Sequence, residues 1–302
     1  MPLVRDDEIP VPHSSFHGEY PYRYTQDDRF QYRVKVQPAG DCLEFVVRPV
    51  DTRRCQQAEQ RAMLGLGRSG ARSEPSAEDR DDSIRRSTER AKRSVRLLAI
   101  HMRVDRLVTF TTRDLYELPV VKVIWDRFVR MYRTVDPSFV YVAVPETHKD
   151  GKHWHIHAAI HGWVNIGLVR RMWQASILSV TGRALNSDCS GSRSPGNVDV
   201  SYKGRAHGLE KSRRIASYIA KYVTKSLVAD FNKKRYWQTK GIKLPDATKK
   251  WLESQDLDSA IREVMEGWGL LVDGQYPVKK VWKPGGLAFF WVDVNSLPVP
   301  PF

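Results

Sequence analysis

Cysteine is scarce. The 302 residues hold three, at Cys42, Cys55 and Cys189. An odd count with no CxxC pair suggests neither a disulfide framework nor a zinc finger. Long apolar runs are missing as well. None approaches the roughly 18 residues that a membrane-spanning helix needs. The opening MPLVRDDEIPVPH is acidic and proline-rich, unlike a secretory leader. A reducing cytoplasm is the expected setting. Acidic side chains are also in deficit: 35 Asp and Glu stand against 49 Lys and Arg, a net charge of +14. Such an excess predicts a polyanionic partner, nucleic acid before any other. Solubility alone is the plainer account of it.

Enough remains for a core. Hydrophobic residues make up 41% of the chain, sufficient for one large domain or two small ones. No internal repeat is visible. Residues 1–51 read as an arm rich in proline and aromatics, followed by two strands, QYRVKVQ and CLEFVVRPV, joined by the turn PAGD. Residues 52–82 turn to Arg, Glu, Ser, Gly and Ala. GLGRSGARSEPSAEDRDD within them has little to bury and predicts a mobile insert. From Ser83 to about 245 helices and strands interleave. A basic helix from Ser83 leads into the strand RLVTFTTR (106–113) and a proline-started helix over 119–135. SFVYVAVPE (138–146) and HWHIHAAIHGW follow as two strands, and the short turn between them makes the pair antiparallel. The helix NIGLVRRMWQASI, a strand at 197–203 and a helix over 211–231 complete the set. Residues 246–302 are expected to form a helical extension and a tail. The class is α+β, with a mostly antiparallel sheet.

The chemistry concentrates in KDGKHWHIHAAIHGW, residues 149–163, which carry four of the nine histidines. Strand side chains alternate, so His155 and His157 share a face, about 7 Å apart at Cα. Trp154, Ile156, Ala158 and Ile160 make the other face and look like core. The hairpin returns Glu146 toward the histidines. Two imidazoles and a carboxylate, with positions left over, suit an open metal site. Mg²⁺ or Mn²⁺ fits action on phosphate, and Zn²⁺ fits the histidines equally well. Strand histidines that bind nothing are the plainer alternative.

RIASYIAKYVTKSL supplies the second element. With Tyr218 at 0° and 100° per residue, Ile215, Ala216, Ile219, Ala220, Val223 and Leu227 fall between roughly 60° and 200°. Tyr222 falls near 40°, and Lys225, Arg214 and Lys221 between about −20° and −60°. Both tyrosines therefore lie in the cationic stripe, not the apolar one, and their i, i+4 spacing makes the phenols neighbours. A free phenol is a poor nucleophile at neutral pH, but flanking cations favour phenolate and attract phosphate. Tyrosines capping the edge of a core are the alternative.

These segments together resemble a family. HIHAAIHG looks like the His-hydrophobe-His strand of the HUH endonucleases. YIAKYVTK is similar to the YxxxY helix of their two-tyrosine branch, the rolling-circle replication initiators of small phages and plasmids. RLVTFTTR resembles the family's first strand, and KKRYWQTKGIKLP the segment after its tyrosine helix. The likeness covers about residues 84–245. It implies the HUH fold, a central antiparallel sheet of about five strands flanked by helices, over a nicking domain at 83–245. It implies metal-assisted nicking of single-stranded origin DNA, a 5′-phosphotyrosine link and a free 3′-hydroxyl, with Mg²⁺ or Mn²⁺ as cofactor. It carries Glu146, His155 and His157 over as metal ligands. Tyr218 and Tyr222 become the nucleophiles, with Lys221 and Lys225 as associated lysines. Lys211 and Arg214 are expected DNA contacts. His153 is expected either to contact DNA or to support the ligands from behind, and a register that pairs His153 with His155 stays open, although the AAIHG that follows favours His155 and His157. A bacterial host's cytoplasm is the implied location. No GxxxxGK[ST] sequence occurs, so a host helicase is expected beside the host polymerase. Two other classes stay open: an origin- or operator-binding protein without catalysis, and a metal-dependent phosphohydrolase.

Overall fold

The computed structural model describes residues 29–65, 77–148, 153–162, 164–182, 194–201, 207–225, 235–270, 281 and 286–294. The arm expected over residues 1–28, the glycine-rich part of the expected insert at 66–76, the 149–152 turn, Cys189 and the helical continuation at 226–231 lie outside the described residues. In chain order the elements are β1 (Phe30–Ala39), β2 (Cys42–Asp51), α1 (Thr52–Met63), α2 (Ala77–His101), β3 (Arg106–Thr112), α3 (Leu118–Arg133) and β4 (Tyr141–Thr147). They continue with β5 (Trp154–Ile160), α4 (Ile166–Thr181), β6 (Gly196–Ser201), α5 (Gly208–Lys225), β7 (Trp237–Gln238), β8 (Thr248–Trp251), α6 (Leu257–Gly267) and β9 (Ala288–Asp293). The fold is α+β, with two antiparallel sheets. The chain divides into two compact units, one of Met1–Glu74 with Leu244–Phe302, the other of Pro75–Lys243.

The first unit holds a four-stranded sheet in the order β8-β1-β2-β9. β1 and β2 form a hairpin through a two-residue turn, and Gly40, at φ 58°, takes the first corner, where glycine is favoured. Alternation puts Tyr32, Val34, Val36, Leu43, Phe45 and Val47 on one face, packed with Ala260, Ile261, Val264 and Met265 of α6. Phe45 stacks on Phe290 of β9 at 4.9 Å between centroids. The expected helical extension at 246–302 is therefore corrected in part: β8 pairs with β1 and β9 with β2, and only α6 is helical. Local pattern hid these strands because their partners lie some two hundred residues away, as in Arg33 opposite Trp251. The expected mobile insert at 52–82 is corrected likewise. Thr52–Met63 is helical, with the Asp51 carboxylate accepting from Arg54 N at 3.1 Å as N-cap, and Ala77 onward belongs to α2. α1 buries no residue, so the cap and its internal hydrogen bonds hold it rather than a core.

The second unit holds the five-stranded sheet β6-β3-β5-β4-β7. β3-α3-β4-β5-α4-β6 in the chain with β6-β3-β5-β4 in space is the split βαβ arrangement, β5 lying between β3 and β4 and antiparallel to both. α3 and α4 cover one face. Trp125, Phe128 and Trp173 from these helices meet Phe110, Ile156, Ala158 and Val198 from the strands. α3 starts at a proline, and α4 starts where Asn165 accepts from Leu168 N at 3.1 Å. α5 lies against β4 and β5 on the opposite face and packs along α2. The Ser212 hydroxyl donates to the Val104 carbonyl at 2.7 Å, fixing the first turns of α5 beside the approach to β3.

Candidate active site

β5 places His155 and His157 on the face toward α5, while Ile156, Ala158 and Ile160 enter the α3–α4 core. Glu146 stands directly opposite His155 on β4, and Thr109 opposite His157 on β3. His157 is 8% exposed, and both its ring nitrogens are engaged. Nε2 lies 2.9 Å from Glu146 Oε2, and Nδ1 lies 3.1 Å from Thr109 Oγ1. A carboxylate oxygen only accepts, so Nε2–H donates to Glu146. With the ring neutral, Nδ1 then accepts the Thr109 hydroxyl proton.

Tyr222 lies flat on the His157 ring, with centroids 3.7 Å apart and planes 14° from parallel. Its hydroxyl donates to that of Tyr218 at 2.8 Å. The two phenol rings stand at 78° with centroids 5.3 Å apart, as i, i+4 neighbours on α5 do. Tyr218 is the outer member, 43% exposed. Lys221 Nζ lies 5.9 Å from the centre of the Tyr218 ring. Burial raises the Tyr222 phenol well above its usual pKa of 10.0, and the hydrogen bond to Tyr218, its charge and that of Glu146 push the same way. Of the six residues on the expected apolar face, Ala216, Ile219, Ala220 and Val223 are buried, Ile215 is half-buried, and Leu227 lies outside the described residues; Tyr222 sits at the border of the buried set.

Glu146, His155, His157, Tyr218 and Tyr222 thus gather between β4, β5 and α5. The other expected residues spread further. His153 closes the hairpin through its carbonyl, which accepts from His148 N at 2.7 Å. Arg214 is exposed and pairs with Glu210 at 2.9 Å. Lys211 opens α5, eleven residues before Tyr222, or about 16 Å along the axis. Burial lowers its pKa, the charge of Arg106 adds to this, and Asp105 opposes it. Lys225 is the last residue of α5, and its side chain lies outside the described residues.

Two neighbours were not singled out from sequence. Thr109 holds His157, and strand alternation on β3 was the signal that could have found it. The His148 ring lies 5.0 Å from that of His155, two residues beyond Glu146 on the same face.

The donor set fits a divalent cation: two imidazoles and a carboxylate from adjacent positions on one sheet face. Thr109 adds to the fit, since a hydroxyl accepts as readily as it donates. The ring can therefore move its proton to Nδ1 and present a bare Nε2. As the side chains stand, no three His, Cys, Asp or Glu groups among the described residues converge on one point.

Residues 105–227 match the family model described as Replication-associated protein ORF2/G2P. The match runs from the start of β3 to the end of α5 and contains all five gathered residues. That is 123 of the 302 residues. No curated protein and no solved structure matches the chain. No helix among the described residues is long and apolar enough to cross a membrane.

Proposed function

We propose that this protein initiates rolling-circle DNA replication by nicking one strand at an origin, with tyrosines of α5 as nucleophiles. The observation that carries the reading is the stack of Tyr222 on His157, with Glu146 at the far nitrogen of that imidazole and Tyr218 hydrogen-bonded to Tyr222. A strand histidine, a carboxylate and two phenols share one small volume, on a chain with net charge +14.

Glu146, His155 and His157 would hold Mg²⁺ or Mn²⁺, which when bound supplies Lewis-acid polarisation of a phosphate oxygen. The chain's own residues do the rest. A tyrosine oxygen gives up its proton and attacks phosphorus. The P–O3′ bond breaks, and the departing oxygen takes up a proton to become the hydroxyl that a polymerase extends. The 5′ phosphate stays on the tyrosine as an ester, which keeps the bond available for rejoining. The second phenol can repeat the step on the regenerated origin. Lys221 and Lys225 add positive charge to the phosphate's surroundings. A host helicase would open the duplex.

The test is incubation with labelled single-stranded origin DNA and Mn²⁺, followed by a denaturing gel. A protein-linked band is expected. DNA binding without such a band would leave an origin-binding protein. Phosphate release without a linked intermediate would leave a phosphohydrolase.

A further inference from the structure

The four-stranded sheet of the first unit has a second face. Tyr32, Val34 and Val36 turn toward α6, so Arg33 and Lys35 turn away from it. On the same side β8 contributes Trp251 and Lys249, and β2 contributes Arg48. The register sets Arg33 directly between Trp251 and Arg48, and Lys35 directly beside Lys249. Of the acidic residues of this face, Glu44 is fully buried two residues along β2 from Val46, which stands opposite Lys35, and Asp293 lies at the far end of β9. Lysine on an edge strand discourages pairing with other chains, which accounts for Lys249. It does not account for Arg33 on an inner strand. Nor does it account for Trp251, an indole left 36% exposed on the edge with the Arg33 guanidinium 5.1 Å from the centre of its ring.

We propose that the edge of this face is a platform for single-stranded DNA, with Trp251 stacking on a base and Arg33 and Lys249 holding the flanking phosphates. The charge selects a polyanion, and the indole selects one whose bases are unpaired. Every base offers a π face, so such stacking tolerates any sequence, while a duplex keeps its bases inside. The platform lies outside the matched residues 105–227 and adds a hold on DNA that does not require the nicking chemistry.

The test uses the full chain carrying Tyr218→Phe and Tyr222→Phe, so that no covalent product forms. Binding of a fluorescent oligothymidylate is read by anisotropy. Trp251→Ala is expected to raise Kd about tenfold, and Trp251→Phe, which keeps a ring, to stay within about threefold of the parent. The double change Arg33→Ala with Lys249→Ala is expected to weaken binding and to flatten the log Kd–log salt slope by about 1. A duplex of equal length should respond less to Trp251→Ala. Unchanged single-strand affinity in the Trp251→Ala and Arg33→Ala/Lys249→Ala proteins, each melting like the parent, would overturn the proposal. So would an equal loss on duplex and single strand. A shift in sedimentation with DNA affinity intact would assign the face to a second copy of the chain, and that too would overturn it.

Discussion

His157 is engaged at both ring nitrogens and on one ring face, and each partner has a separate consequence. Glu146 takes the Nε2 proton, Thr109 meets Nδ1, and Tyr222 covers the ring. If the imidazole turns a bare Nε2 to a cation, Thr109 must become the acceptor for Nδ1–H. Thr109→Val removes that acceptor while keeping the shape, so the Mn²⁺ concentration for half-maximal nicking should rise about 10- to 100-fold, whereas Thr109→Ser should stay near the parent. An unshifted Mn²⁺ titration in Thr109→Val would detach Thr109 from the metal site. The phenols are tested by subtraction. Tyr218→Phe and Tyr222→Phe singly should lower full nicking-and-joining cycles, with at least one of them still forming the covalent adduct. The double variant should form none while still folding and binding DNA. An adduct in the double variant, or a linkage mapped by mass spectrometry outside α5, would remove the helix as nucleophile carrier. The return of Glu146 toward the histidines and the neighbouring of the two phenols were legible from strand and helix periods alone, whereas the same wheel set Tyr222 in the cationic stripe and the structure stacks it on His157. Thr109 was not singled out: alternation on β3 marks the face it occupies, and the pairing of β3 with β5 then sets it opposite His157.

At the scale of elements, legibility followed the distance between partners. β4 and β5 are joined by a short turn, and α3, α4 and α5 each carry their own apolar stripe, so local pattern predicts them. β8 reads TKKW, all exposed, inside a charged stretch, and only its pairing with β1 makes it a strand. The segment after β8 is tied down by one carboxylate. Glu263 of α6 accepts from the Glu253 and Ser254 amides at 3.0 Å and from the Ser254 hydroxyl at 2.6 Å. Burial alone would raise its pKa. The Ser254 hydroxyl, the two amides and the charge of Lys250 outweigh that and hold it below its usual 4.5. A carboxyl lowered on folding stabilises the fold above its unfolded pKa, and the contribution fades as pH falls through the folded one. Glu263→Gln should therefore cost about 1–3 kcal/mol at pH 7, and the gap from the parent should narrow below about pH 4.5. Thermal melts of both proteins across pH 3–7 measure it, and a gap that stays constant with pH would contradict the ionised contacts.

For the whole molecule, charge and chain path make separate demands. With net charge +14, affinity for DNA should rest largely on phosphate contacts, so Kd should weaken steeply and linearly in log salt. Chelating the metal with EDTA should abolish nicking but spare much of this binding, because the cations on the chain are spread far beyond Glu146, His155 and His157. Cleavage that survives EDTA would sink the metal assignment. Chain path sets the last expectation. The first unit takes strands from both sides of the second in sequence: β1 and β2 before it, β8, α6 and β9 after it. Ending the chain at Lys243 would strip β8 and β9 from the hairpin and α6 from its apolar face. A lone two-stranded hairpin is marginal in water, and Val34, Phe45 and Val47, fully buried in the intact chain, would lose their cover. Among the described residues, the core around Trp125, Phe110 and Trp173 is drawn from within the second unit. Limited proteolysis of the shortened chain should therefore cut quickly within residues 29–65 and leave a fragment close to residues 75–243. That fragment keeps every residue of the proposed nicking site and lacks Trp251, so it should still form the tyrosine adduct at high DNA concentration while binding oligothymidylate more weakly. Rapid digestion of residues 75–243 as well would show that the second unit does not fold without the first.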